Sequence, residues 1–322
     1  MSGKPSSTPA WLASPRAREL AYLVGLAAAG ALLPLVVYPT LAMKILYFGL
    51  FACAYNLLFG YLGLLAFGHA AFFGLASYVC AHLVTVVGLT PELGILAGTA
   101  AAAALGAVIG WLAIKRTGLY FAMITLALAQ VVYFYLVQAP WSMGEDGIQT
   151  GPRGKLFGVI SLADNTSMYV VTLVIFLAGF AIVNRAVNSP FGEVLTAIRD
   201  NEPRAVSLGY DTRRFKLLAF TLSAAISGLA GATKAIVLQL ANLGDVHFSM
   251  SGEVLLAVLI GGIGTALGPI VGAAVLMTMF DALAKTGAWV QAIQGALFVG
   301  FVLLLRSGVV GTLSGLFARK TR

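Results

Sequence analysis

Eight runs of about twenty apolar residues follow one another along this chain, and their repetition constrains every other reading. They lie at roughly 20–38, 40–59, 64–87, 93–114, 118–138, 168–185, 217–240 and 288–305. About twenty such residues, wound at 1.5 Å each, cross the ~30 Å hydrocarbon core of a bilayer. Hydrocarbon offers no partner to backbone N–H and C=O groups, so only helices and closed barrels cross it. A barrel strand alternates apolar and polar residues, whereas these runs are continuous and predict helices. A further apolar stretch, 250–284, is interrupted at Gly261–Pro269. The expected fold class is an all-α polytopic membrane protein with about 8–10 transmembrane helices and a broken or re-entrant segment near 250–284.

Charge separates a membrane protein from an apolar soluble one. Charged residues make up 10% of the 322 and hydrophobic ones 60%, with a mean hydropathy of +0.94. A soluble domain carries about 25% charged residues, and one this poor in charge would expose large apolar patches. The net charge of +8 does not point to nucleic acid, because the bases are scattered between apolar runs and form no single surface. They report orientation instead. With the N-terminus inside, fifteen of the twenty Lys and Arg fall on inner segments; Lys44, Arg153, Lys155, Lys234 and Lys285 fall outside or at outer ends of spans. The expected arrangement is N-in and C-in, which requires 250–284 to return to the side it left. Residues 1–19 and 307–322 become cytoplasmic tails, 20–306 the membrane domain, 139–167 an external loop and 186–216 an internal one. The first run lacks a small-residue cleavage site and reads as a retained span. Cys53 and Cys80 lie inside apolar runs, so no disulfide framework is expected.

The internal loop, NSPFGEVLTAIRDNEPRAVSLGYDTRRFK, holds most of the loop charge. Ser189-Pro190 starts a helix, with proline in the first turn where its missing N–H costs nothing. Phe191, Val194, Leu195 and Ile198 then share one face at i, i+3, i+4 and i+7. Asn201 can cap a second short helix carrying Pro203 in its first turn, and Gly209 ends it. Asp211 can cap the helix that enters the next span. The result is a helix–turn–helix across the cytoplasmic face, with an apolar ridge and a mixed-charge face of Glu193, Arg199, Asp200, Glu202 and Arg204. Lipid headgroups or a protein could receive it. A headgroup-binding helix is mainly basic, and here acids and bases mix.

The stretch EVLTAIRDNEPRAVSLGYDTRRFKLLAFTLSAAISGLAGA, residues 193–232, resembles the permeases of the branched-chain amino acid ABC importer family. GYLGLLAFGHAAFFGLASY, residues 60–78, and GGIGTALGPIVGA, residues 261–273, resemble the early and late signatures of the same family. The pattern Ala197-Ile198-Arg199-Asp200-Asn201-Glu202 is similar to the LivM type of permease more than to the LivH type. The resemblance implies that the internal loop is a coupling helix seated in a groove of a cytosolic ABC ATPase. By position it makes Glu193, Ala197, Arg199, Asp200, Asn201, Glu202 and Gly209 docking candidates, with Phe191, Leu195 and Ile198 filling the groove. It also implies a second related permease subunit, a periplasmic substrate-binding protein, a place in the bacterial inner membrane, and leucine, isoleucine and valine as cargo. Similar permeases carry urea, amides or aromatic acids.

Polar residues inside the runs are further candidates for a translocation path. Gly60, Gly63, Gly68 and Gly74 flank His69, and small residues let helices approach closely. An in-span polar residue is a functional candidate, but a single His also serves as a hydrogen-bonded packing residue. His82 and His247 are isolated, so no metal site is expected. Asn56, Thr125, Gln130, Ser223 and Ser227 fit two roles, lining a path or bonding across helices. The Gly261–Pro269 segment lacks the soluble strand of a dinucleotide loop. It is either a re-entrant break, bringing Gly262, Gly264 and Thr265 to a substrate, or a tight turn between limbs 247–264 and 266–283, each about 27 Å long. Asp281 and Lys285, at i and i+4, suit a surface ion pair.

Three function classes compete. An ABC permease needs no ATPase motif of its own, and neither Lys285-Thr286 nor Lys320-Thr321 follows a glycine as a P-loop requires. ATP would therefore be used by partner subunits, with no cofactor in this chain. An ion-coupled secondary transporter wants charge deep in its spans, whereas the carboxylates here sit at loops and span ends. A polytopic enzyme is disfavoured by the lack of H-E-x-x-H, G-x-S-x-G or a histidine cluster.

Overall fold

The computed structural model describes residues 15–284, apart from Pro152, Phe157 and Val159, together with Gly295 and Gly300. The run at 288–305, Lys285, the tail 307–322 and residues 1–14 lie outside the described residues. Helices dominate the rest: α1 (Pro15–Val36), α2 (Pro39–Asn56), α3 (His69–Thr85), α4 (Pro91–Ala113), α5 (Leu119–Gln138), α6 (Asn165–Val187), α7 (Pro190–Ser207), α8 (Thr212–Leu238), α9 (Phe248–Gly261) and α10 (Gly268–Leu283). Five are long and apolar enough to cross a membrane: α2 with its extension to Leu62, α4, α5, α6 and α8. The chain is thus an all-α polytopic membrane protein. Proline opens α2, α4, α7 and α10 in the first turn, where the ring is preset for helical φ.

α8 is the hub. It packs against α2, α3 and α4 through residues too small to hold the backbones apart. A Cβ on Gly106 would stand 2.3 Å from the Ala224 Cβ, and one on Gly228 2.3 Å from the Ala102 Cβ. One on Gly231 would lie 1.9 Å from the Phe73 carbonyl oxygen. α2 is covered on nearly every side, while α4, α5 and α6 leave apolar side chains such as Met123, Val131 and Val174 exposed, as lipid-facing helices do.

Two segments depart from the expected spans. The run 64–87 reads as one helix, yet α3 begins only at His69. α2 widens into a π-helical turn at Leu57–Leu62, and Gly63, at φ +76°, ends it. Residues 63–68 then cross without helix, held where the Phe67 N–H donates to Thr125 Oγ at 3.3 Å. Irregular backbone at membrane depth survives when protein surrounds it.

The second is 250–284, which forms the helices α9 and α10 joined by a turn at Gly262–Leu267. The glycine turn unwinds the ends of both expected limbs, so the helices reach only about 21 and 24 Å. They pack backbone to backbone: a Cβ on Gly261 would meet the Gly268 oxygen at 1.8 Å, and one on Gly272 the Ala257 oxygen at 1.8 Å. α9 leaves from, and α10 returns to, the end of the bundle opposite α7, where the Tyr38 hydroxyl donates to Asp281. The segment therefore comes back to the side it left, as the charge distribution requires.

That end of the bundle is tied together. The loop between α5 and α6 carries β1 (Ile148–Gln149), β2 (Lys155–Leu156) and β3 (Ile160–Ser161). β2 and β3 pair with each other, and β1 pairs antiparallel with β4 (Leu240–Ala241), just beyond α8. Arg153 donates to the Val237 carbonyl and to Asn165 Oδ1, both at 2.9 Å.

Candidate functional site

The charged loop between α6 and α8 folds as its caps require. α7 follows α6 almost directly and breaks at Asn201, whose φ of −160° and ψ of 93° are not helical. The Arg204 N–H donates to Asn201 Oδ1 at 3.0 Å, which caps the second piece. Gly209, at φ +90°, ends it, and the Arg214 N–H donates to Asp211 Oδ1 at 3.2 Å to open α8.

The ridge faces the other way from the expectation. Leu195 is fully buried and Ile198 nearly so against this chain's own spans, and Phe191 stacks on Phe215 with ring centroids 5.8 Å apart. An apolar helix face buries itself on the nearest apolar surface, and here that surface is intramolecular. It is therefore not free to fill a partner's groove. Glu202 also turns inward: Lys216, buried in the first turns of α8, donates to it at 2.6 Å, and the Thr212 hydroxyl does so at 3.3 Å. Left exposed on α7 are Glu193, Ala197, Asp200, Asn201 and Arg204, with Gly209 beyond its end. Val206, Leu208 and Tyr210 are exposed beside them. Their only sequence signal is an apolar cluster around the Gly209 stop, out of phase with the ridge.

Arg199 joins the two layers. Its guanidinium pairs with Asp200 at 3.1 Å on the outside and donates to the Gly60 carbonyl at 2.7 Å on the inside. Its stem lies over Gly63, where a Cβ would come within 2.7 Å of the Arg199 Cγ. Gly60 lies in the last turn before Gly63 ends the helix, where carbonyls have no intrahelical partner, so its oxygen is available to the arginine. The α9–α10 turn meets the same place. Asn56 Nδ2 donates to the Thr265 carbonyl at 3.0 Å, and its Oδ1 accepts from the Gly264 N–H at 2.9 Å. Thr265 donates to the Gly262 carbonyl and accepts from the Gly268 N–H, closing the turn. Gly262 and Gly264, at φ +120° and +71°, adopt backbone that other residues resist.

The remaining polar candidates divide. His69 is fully buried, with Nε2 2.9 Å from Ser223 Oγ, and is ringed by Tyr55, Phe72 and Phe220. Ser223 in turn donates to the Ala54 carbonyl at 2.6 Å. This pair stitches α2, α3 and α8 together. Gln130 is half-buried on α5, apart from the others. So Asn56, Gly264 and Thr265 come together under Arg199, His69 pairs with Ser223 elsewhere, and the two sets do not form one site. Asn56→Ala should strip two hydrogen bonds from the α9–α10 turn and cost about 1–3 kcal/mol. A lowered melting midpoint of the purified protein in detergent would register it, and an unchanged midpoint would place the support of the turn elsewhere.

The described residues form a polytopic helical bundle with a folded, charged helix pair braced against one end of its spans. Residues 37–303 match the family described as branched-chain amino acid transport system, permease component, and the chain belongs to that family. The high-affinity branched-chain amino acid transport system permease protein LivM of Escherichia coli (strain K12) is 27% identical over 283 residues, covering 79% of this chain and 65% of that protein. The same values of 27%, 79% and 65% hold for LivM of Salmonella typhimurium. LivH of Escherichia coli (strain K12) is 23% identical, covering 82% of this chain and 91% of that protein. The chain thus spans about two thirds of the length of the LivM relatives it matches. No solved structure matches it significantly.

Proposed function

We propose that this chain is a membrane subunit of an ABC importer for branched-chain amino acids in the bacterial inner membrane. It provides the path, and separate cytosolic ATPase subunits hydrolyse the ATP. A second, related permease completes the path, and a periplasmic binding protein delivers the cargo. The membrane domain spans 20–306, with both tails cytoplasmic.

The observation that carries this reading is the Arg199 contact. An exposed helix pair is fixed, through one guanidinium, to the π turn of α2 and lies beside the α9–α10 turn. That geometry suits a part that receives a push from a cytosolic partner and hands it to the spans. ATP-driven closure of two ATPases would draw the coupling helices together and rock the bundles around a central path. The docking face is then Glu193, Ala197, Asp200 and Asn201, with Val206 and Leu208, and not the buried ridge.

Uptake of radiolabelled L-leucine by cells expressing the transporter tests the function. Competition by isoleucine and valine is expected, and competition by urea, acetamide or phenylalanine instead would transfer the reading to those solutes. Asp200→Lys should reverse a charge on the docking face and remove ATPase co-purification while the protein still inserts. Retained co-purification would take Asp200 out of the interface.

A further inference from the structure

Lys44 and Lys234 sit at outer ends of their spans, against the inward bias of the other bases. Both line one cavity of about 330 Å³ between α2, α8, α9 and α10. A charge inside a span faces a cavity or a partner and marks a pathway. The two lysines differ in this respect. Lys234 lies 2.5 Å from Asp245 Oδ2 and donates to the Leu240 carbonyl at 2.9 Å, with both charged side chains buried. Asp245 accepts further from the Asn242 N–H at 3.3 Å and the Ser77 hydroxyl at 3.4 Å. That network is complete and neutral. Lys44 has no ion pair or hydrogen bond among the described residues, although its neighbours along α2 are buried.

Asp281, near the outer end of α10, lines the same cavity. The Tyr38 hydroxyl donates to it, which orients the carboxylate, and no cation pairs with it among the described residues. Tyr47, Met250, Met277 and Phe280 contribute apolar wall. A cation and an anion that have no ion pair among the described residues, set beside an apolar recess, complement a zwitterion with an aliphatic side chain. The volume is at the small end of ligand pockets, about 300–1,000 Å³, which suits an amino acid of leucine size.

We propose that this outer cavity is a binding site for an α-amino acid: the Lys44 ammonium takes the α-carboxylate, Asp281 the α-ammonium, and Met250, Met277 and Phe280 the aliphatic side chain. The site rests on the branched-chain amino acid reading above and adds to it a station in the permease itself.

Saturation-transfer NMR with L-leucine tests it, using the transporter purified with the subunits that accompany this chain and without binding protein. Transfer to the leucine methyl groups is expected, with Lys44→Met weakening binding about tenfold or more and Lys44→Arg retaining it. Leucinamide and 4-methylpentanoate, each carrying one charge, should compete about tenfold less well than leucine. Absence of transfer in the wild type, equal transfer in Lys44→Met, or equal competition by the singly charged analogues would overturn the site. The retained Lys44→Arg signal separates a lost contact from a lost fold. Failure of the broader reading looks different: the wild type would then take up no aliphatic amino acid at all. Normal uptake by Lys44→Met would instead remove only this site.

Discussion

Arg199→Glu is expected to cut L-leucine uptake on the order of tenfold or more while leaving ATPase co-purification intact. The substitution removes the charge-assisted bond to the Gly60 carbonyl and sets a carboxylate against that oxygen. α7 keeps its seat, because Leu195, Ile198 and the Glu202–Lys216 pair are untouched. The docking face loses the Arg199–Asp200 ion pair, while Glu193, Ala197, Asn201, Val206 and Leu208 keep their places. The partner would bind, and its motion would not reach the α2 turn. Arg199→Lys should recover part of the uptake, since an ammonium can donate to one carbonyl but lacks the planar reach to Asp200. Loss of co-purification with Arg199→Glu would put Arg199 in the docking interface and remove its role between layers. Contrast with Asp200→Lys makes the assignment sharp, because neighbouring residues are expected to fail in opposite ways.

Gly272→Val should prevent folded protein from accumulating in the membrane. A Cβ there would stand 1.8 Å from the Ala257 carbonyl oxygen and 2.9 Å from the Gly261 nitrogen. Backbone, not the tip of a flexible side chain, is in the way, so α9 and α10 must separate. The loss should exceed the about 1–3 kcal/mol of ordinary overpacking. Fluorescence-detected size exclusion of a tagged protein reads the outcome as loss of the monodisperse peak. Gly252→Val is the control: it lies on α9, and a Cβ there meets nothing within 4 Å, so that variant should accumulate normally. Normal accumulation of Gly272→Val would mean that the two helices are not in backbone contact.

Much of this architecture was legible in the order of residues. Continuous apolar runs announce helices because lipid leaves the backbone no other solution. Ser189-Pro190, Asn201, Gly209 and Asp211 announced the helix pair because capping is local chemistry. The direction of the ridge was not legible. Periodicity at 191, 194, 195 and 198 says that one face is apolar; it does not say whose surface will cover it. Arg199 shows the same limit. Its inner partner is a backbone carbonyl 139 residues away, and a carbonyl has no letter in the sequence. Asn56 and the turn at Gly264–Thr265 are similarly remote, and either residue alone looks like an ordinary polar break in an apolar run. The late start of α3 escaped for a different reason: Leu64, Leu65, Ala66 and Phe67 are as apolar as any helix, and only the φ of Gly63 reveals that the chain leaves helical geometry there.

The π turn at Leu57–Leu62 has a consequence for how this chain tolerates change. A π turn accommodates an extra residue, and each residue rotates a helix face by about 100°. Deleting one residue from 57–62 would restore an ordinary helix and turn the residues between the deletion and Gly63 out of angular phase. The Gly60 carbonyl would then face away from Arg199. In this part of the molecule the number of residues is a stricter constraint than their identity. A substitution alters one contact, whereas a frame shift of a single residue misaims the whole inner end of that helix.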